Sequence, residues 1–145
     1  MVKVFSSDEL YDFLYQDDYD KFKITINDLK DRINYFQIEN SYWRNDFYII
    51  KFINDKIVGI LDYVICVDGP TFQGHYHFLS YVSVDEEFQN QGIAKELLQY
   101  WIQNCYNSNK GLCGCSGFTE SGYKFLKPIL ERLPIQIEME DKISF

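Results

Sequence analysis

Leu79-Ser80-Tyr81-Val82-Ser83-Val84-Asp85-Glu86-Glu87-Phe88-Gln89-Asn90-Gln91-Gly92-Ile93-Ala94 is the stretch on which the reading of this sequence turns. Its first residues close a strand from His75 to Val84, rich in aromatic and β-branched side chains. Asp85 to Gln91 is polar. A helix then opens near Gly92 and runs to about Tyr106, with Ala94, Leu97, Leu98, Trp101 and Ile102 as its apolar stripe. A strand, a polar turn, a glycine and an uninterrupted helix leave several N–H groups unpaired at the helix N-terminus. They point one way and the helix dipole adds to them, which makes a place for phosphate. Gly92 permits close approach because it has no Cβ, and Ala94 is small for the same reason.

Working upstream, Ile57 to Val67 and Phe47 to Ile53 read as a hairpin about the polar turn Asn54-Asp55-Lys56, and Asp68-Gly69-Pro70 breaks the chain after it. Asn27 or Asp28 caps a helix carrying Leu29, Ile33, Phe36 and Gln37. Before the loop Asp17 to Asp20, Ser6-Ser7-Asp8-Glu9 opens a helix to about Tyr15, with a hydroxyl cap and acids in its first turn.

Downstream, Gly111 to Ser116 reads as a short strand. Thr119 or Ser121 caps a helix with Phe125, Leu126, Ile129, Leu130 and Leu133, and Pro128 kinks it or divides it in two. Ile135 to Met139 and Ile143 to Phe145 read as terminal strands. The order is two helices, a three-strand meander, then helix, strand, helix and strand. It is mixed α and β and does not fit a simple Rossmann alternation.

Composition sets the outer limits. The 145 residues suffice for one domain, residues 1–145, with a real core, and 18% aromatic content argues against disorder. A net charge of −8 repels phosphate backbones and anionic lipid, which argues against nucleic acid or membrane as a partner. No apolar run approaches the roughly 20 residues of a membrane helix, and Met1 to Leu10 does not read as a signal peptide. The expected address is the cytoplasm, where Cys66, Cys105, Cys113 and Cys115 stay reduced.

Gln89-Asn90-Gln91-Gly92-Ile93-Ala94 resembles the pyrophosphate-binding signature Q/R-x-x-G-x-G/A of the GNAT acetyltransferase superfamily. Val82-Ser83-Val84 resembles the end of that family's fourth strand, and Asp85 to Phe88 its turn into the signature. The resemblance is sharp over about residues 76–105 and extends to element order beyond them. It implies an α/β, mixed α+β acyl-CoA N-acyltransferase fold, with a mainly antiparallel central sheet flanked by helices. The implied cofactor is acetyl-CoA, with no metal. Its pyrophosphate would lie on the backbone of Gln89, Asn90, Gln91, Gly92, Ile93 and Ala94, and its pantetheine would run beside Val82, Ser83 and Val84 as an added strand.

The implied activity is transfer of an acetyl group to the primary amine of a small molecule or peptide, by direct attack on the thioester. The alternative is a non-catalytic acyl-CoA-binding regulatory module of the same fold. A protein-interaction domain with no cofactor is a third reading, which the signature loop disfavours. Tyr123 is the candidate acid for the leaving thiolate, with packing as its competing role. It lies one helical turn before the position of the family's tyrosine, where this chain has Leu126. The glutamate that histone-type members carry as base falls on Phe78, so that assignment fails. His77 on the same strand, Asp62 on the preceding one, or a water chain would take its place.

Tyr42, Trp43, Phe47 and Tyr48 fall where the family lines its acceptor pocket, though core packing explains such clusters more often. Cys113-x-Cys115 and His75-Tyr76-His77 have no spacing that makes a metal site. The acidic balance favours a cationic small molecule as acceptor, and the family's habit allows a homodimer.

Overall fold

The computed structural model describes residues 1–14, 44–67, 74–106, 111–115, 118 and 120–139. The expected helix near residues 27–37, the loop at 17–20, the breaker at 68–70 and the strand at 143–145 lie outside the described residues.

The chain opens on a strand, β1 (Val2–Ser6), that the sequence reading passed over. At Ser6 it turns directly into α1 (Ser7–Leu14). The turn is a reciprocal cap: Ser6 Oγ accepts from the Glu9 N–H at 3.2 Å, and Glu9 Oε1 accepts from the Ser6 N–H at 3.1 Å. Hydrogen bonding from the Ser6 backbone N–H, and secondarily from the Ser6 hydroxyl, holds the Glu9 carboxyl below its ordinary range.

β2 (Arg44–Ile53) and β3 (Lys56–Val67) form the expected hairpin, and both turn residues, Asn54 and Asp55, take positive φ, as tight hairpin turns require. β4 (His75–Val84) has the bounds read from the sequence. A short 3₁₀ turn, Glu86–Phe88, leads to α2 (Ile93–Trp101). The last stretch of the expected helix, Ile102–Tyr106, winds as a π-helix instead. β5 (Leu112–Cys115) follows, then α3 (Glu120–Phe125), α4 (Lys127–Glu131) and β6 (Glu138–Met139). Of the two outcomes expected at Pro128, the division into two helices holds, because Pro128 sits in the first turn of the second and has no N–H to continue the first. The last strand is shorter than the expected Ile135 to Met139.

The strands form one sheet in the order β1-β2-β3-β4-β5-β6. The first four are antiparallel; β5 is parallel to β4, and β6 to β5. The fold is therefore mixed α/β with a mainly antiparallel sheet, as the sequence implied. One face carries α1 over Leu10, Tyr48, Ile50, Phe52, Ile57, Ile60 and Val64. The other carries α2 and α4 over Ile49, Leu61, Tyr63, Leu79, Leu97, Trp101 and Leu130. No helix among the described residues is long and apolar enough to cross a membrane.

Candidate functional site

The site begins with an irregularity in β4. Its register with β3 passes from Asp62↔Tyr81 to Tyr63↔Leu79, so Ser80 has no residue opposite it. Such a bulge bends the strand and increases its local twist. Pairing between β4 and β5 ends at the same place, with Leu79↔Cys115. Beyond it, among the described residues, β4 has β3 on one side and no strand on the other. Every second residue from Ser80 to Val84 therefore directs its N–H and C=O away from β3, into the fork between β4 and β5. The bulge also resets the alternation. Leu79 before it and Val82 and Val84 after it all pack on the α2 face, while Phe78 packs on the α1 face.

The loop above the fork is tightly tied. The Asp85 N–H donates to Val58 O at 2.9 Å, and Asp85 Oδ1 accepts from the Glu87 N–H at 3.0 Å. The Gln89 side-chain amide donates to Val84 O at 3.1 Å. The first glutamine of the signature thus closes the loop on the strand, and its backbone N–H reaches Glu86 O at 3.4 Å.

Two of the next three residues are left-handed, Asn90 with φ 63° and Gly92 with φ 80°. Asparagine and glycine are the residue types that accept this conformation most readily. Gly92 is the N-cap of α2, its carbonyl accepts from the Glu96 N–H at 2.9 Å, and no side chain caps the helix. The amides of Ile93 and Ala94 therefore stand at the positive end of the helix with no cap over them. α2 is seated by Ile93, Leu97, Leu98 and Trp101, all buried, and by an ion pair from Lys51 on β2 to Glu96 at 3.0 Å.

Val82, Ser83, Val84 and Gln89 to Ala94 thus lie together at the C-terminal end of β4 and the N-terminus of α2. Tyr123 lies on α3, 36% exposed, with its ring edge-on to Phe118 and the Lys127 ammonium 5.4 Å from its centre.

The candidate bases are placed differently. His77 is fully buried on the α2 face, 5.0 Å from the Tyr106 ring and 6.4 Å from Trp101. Asp62 is also fully buried, opposite Tyr48 of β2. Phe78 stacks on Tyr76 at 6.5 Å.

Tyr42 and Trp43 lie outside the described residues. Phe47 stacks on Tyr63 at 5.4 Å on the α2 face, whereas Tyr48 is buried on the α1 face and donates to Asp46 Oδ2 at 3.4 Å. These two aromatics serve opposite sides of the core. No disulfide links the four cysteines, and burial pushes the Cys113 thiol up to about 12. Sequence reasoning missed the bulge at Ser80, because a serine inside an alternating strand carries no signal for one.

An acetyltransferase (GNAT) family model matches residues 9–114. A search of curated proteins gave no match. Among solved structures, an aminoglycoside acetyltransferase from an uncultured soil metagenomic sample, in complex with sisomicin, superposes with a TM-score of 0.59 at 16% identity, covering 100% of this chain and 93% of that one. A transcriptional regulator from Bacillus halodurans C-125 gives 0.57 at 13% identity, with 100% of both chains covered. The ribosomal-protein-alanine N-acetyltransferase of Brucella melitensis biovar Abortus 2308 gives 0.56 at 13%, covering 100% of this chain and 98% of that one. At such identities the structures share a fold. The family match spans the strand, the loop and the helix whose geometry has just been described, and this chain belongs to the GNAT acetyltransferase family.

Proposed function

We propose that this chain is an acetyl-CoA-dependent N-acetyltransferase acting on a primary amine of a small molecule or peptide, with residues 1–145 as its single domain. One observation carries the reading. The open edge of β4 beyond the Leu79↔Cys115 pair runs up to the uncapped N-terminus of α2 at Gly92. An extended amide-bearing arm fits the first feature and a pyrophosphate the second. Val82, Ser83 and Val84 would hold the arm, and Gln89 to Ala94 the pyrophosphate. The cofactor would supply an acetyl group already activated as a thioester.

The chain's own residues then have limited tasks. N–H groups on the open β4 edge are fixed donors suited to a developing oxyanion. Tyr123 is half-exposed and is the group we assign to protonating the leaving thiolate. Phe78 has no proton to exchange, and His77 and Asp62 are both sealed from solvent. Of the routes weighed for deprotonating the amine, a water chain is the one this burial leaves in place. The same burial favours, as a second reading, an acyl-CoA-binding module without turnover.

The test is thermal stability with and without acetyl-CoA, for wild type and Gly92→Trp, followed by thiol release across a panel of amines. Cofactor at 100 times its dissociation constant adds about 2.7 kcal/mol, a rise of roughly 8 °C for a domain of this size. A shift in wild type that the variant lacks, with turnover of some amine, supports the enzyme. Binding without turnover across the panel supports the module. An unmoved wild type removes both readings. Tyr123→Phe should keep the shift and lose roughly a hundredfold or more in kcat; an unchanged kcat would return Tyr123 to packing.

A further inference from the structure

A separate cavity of about 600 Å³ lies between α2 and α4, and among the described residues none from β4 or β5 lines it. Ile102, Ile129 and Leu133 give it an apolar floor. Lys95 and Arg132, both exposed, stand at its margin, with Gln99 also on its wall. The volume falls within the range of roughly 300–1,000 Å³ typical of small-molecule sites.

The charges around it are unevenly matched. Glu96, next to Lys95, is taken by Lys51 at 3.0 Å, and Glu131, next to Arg132, is taken by Lys127 at 2.8 Å. Lys95 and Arg132 form no ion pair among the described residues. A chain of net charge −8 has acids to spare, yet the two carboxylates next to these cations in sequence are engaged elsewhere. Among the described residues, the groove thus presents two cations with no carboxylate paired to them, over apolar surface. A guanidinium offers a carboxylate two parallel hydrogen bonds, and an ammonium adds a third donor group.

We propose that this groove binds a small amphipathic carboxylate, with its apolar body on Ile102, Ile129 and Leu133 and its anionic head between Arg132 and Lys95. The site is distinct from the β4–β5 fork, and its occupant is a ligand additional to the acetyl donor and the amine.

The test is calorimetric titration of the full chain with decanoate and with decylamine, which has the same apolar body and the opposite charge. Decanoate should bind one per chain, and decylamine should not saturate. Arg132→Gln and Lys95→Gln should each weaken decanoate by roughly fivefold or more. Leu133→Asp should abolish binding, and circular dichroism on all three variants checks that they are folded. Saturating CoA should leave decanoate binding in place.

Equal affinity for decylamine, or wild-type affinity in folded Arg132→Gln, would overturn the proposal. Displacement of decanoate by CoA would also overturn it, by assigning the groove to the cofactor's path. Absence of decanoate binding together with concentration-dependent dimerisation would give the groove to a second copy of the chain.

Discussion

Ile93 Cγ2 stands 2.8 Å from the point that a Cβ on Gly59 would occupy, with Leu97 Cδ1 at 3.2 Å. The first residue of α2 is therefore packed straight onto the backbone of β3, and the end of the helix that faces the fork is fixed to the sheet at that point. Ile93 is β-branched, so its side chain has little freedom to turn away. Gly59→Ala should destabilise the fold by about 1–3 kcal/mol, as overpacking does. It should also weaken the acetyl-CoA-induced thermal shift, because relief requires α2 to move. Denaturant unfolding and the thermal shift measure the two effects separately; a destabilised variant with full cofactor response would mean the helix end is not rigidly coupled to β3.

Gly92 makes the opposite case. No atom lies within 4 Å of its would-be Cβ, so a side chain there meets open space. The penalty comes from φ at +80° alone. Gly92→Ala should cost about 1–2 kcal/mol in unfolding free energy and weaken the acetyl-CoA-induced thermal shift, since its Cβ would stand where we propose the pyrophosphate approaches the backbone. A loss much above that would point to a packing role for this position.

Ser6→Ala removes one half of the cap that turns β1 into α1. The expected cost is about 1 kcal/mol. The Glu9 carboxyl is held below its ordinary range in the folded chain, so its contribution is present above the unfolded value and lost as pH falls through the folded one. Ser6→Ala keeps the backbone N–H that is the larger cause and loses the hydroxyl's share, so the difference between wild type and variant, read from urea midpoints, should shrink modestly in acid. A constant difference from pH 7 to pH 3 would assign the cost to Ser6 Oγ alone.

Alkali should loosen the α2 face of the core. Burial raises the Cys113 thiol from 9.0 to about 12, and it raises Tyr63 and Cys105 as well. The folded chain holds these protons more tightly than the unfolded one. The stability they contribute is complete below pH 9 and declines as pH rises towards 12. Urea midpoints should fall steadily above pH 9, and Cys113→Ala should reduce the slope. Iodoacetamide at pH 8 should leave Cys113 unmodified until the chain is unfolded.

Much of this protein is written locally. Gln89 to Ala94, between a β-branched strand and an amphipathic helix, announces the strand–loop–helix turn that we propose holds phosphate, because each feature is a short-range preference: strand formers, a left-handed glycine, a 3.6-residue stripe. The hairpin about Asn54-Asp55 and the start at Ser6 are legible for the same reason, and Pro128 marks the break between α3 and α4. Three features were decided only in the tertiary structure. β1 is five residues long and has no strongly buried residue, so it becomes a strand only by pairing with β2. The bulge at Ser80 and the end of pairing at Leu79↔Cys115 open the fork, and both depend on register between strands distant in sequence. His77 and Asp62 are eligible bases by residue type, but the packing of Trp101, Tyr106 and Tyr48 around the sheet removes both from solvent. Sequence fixes what a segment prefers, through torsions and periodicity. Which edge stays open and which polar group is buried depends on contacts between segments, and those exist only once the sheet and its helices have assembled.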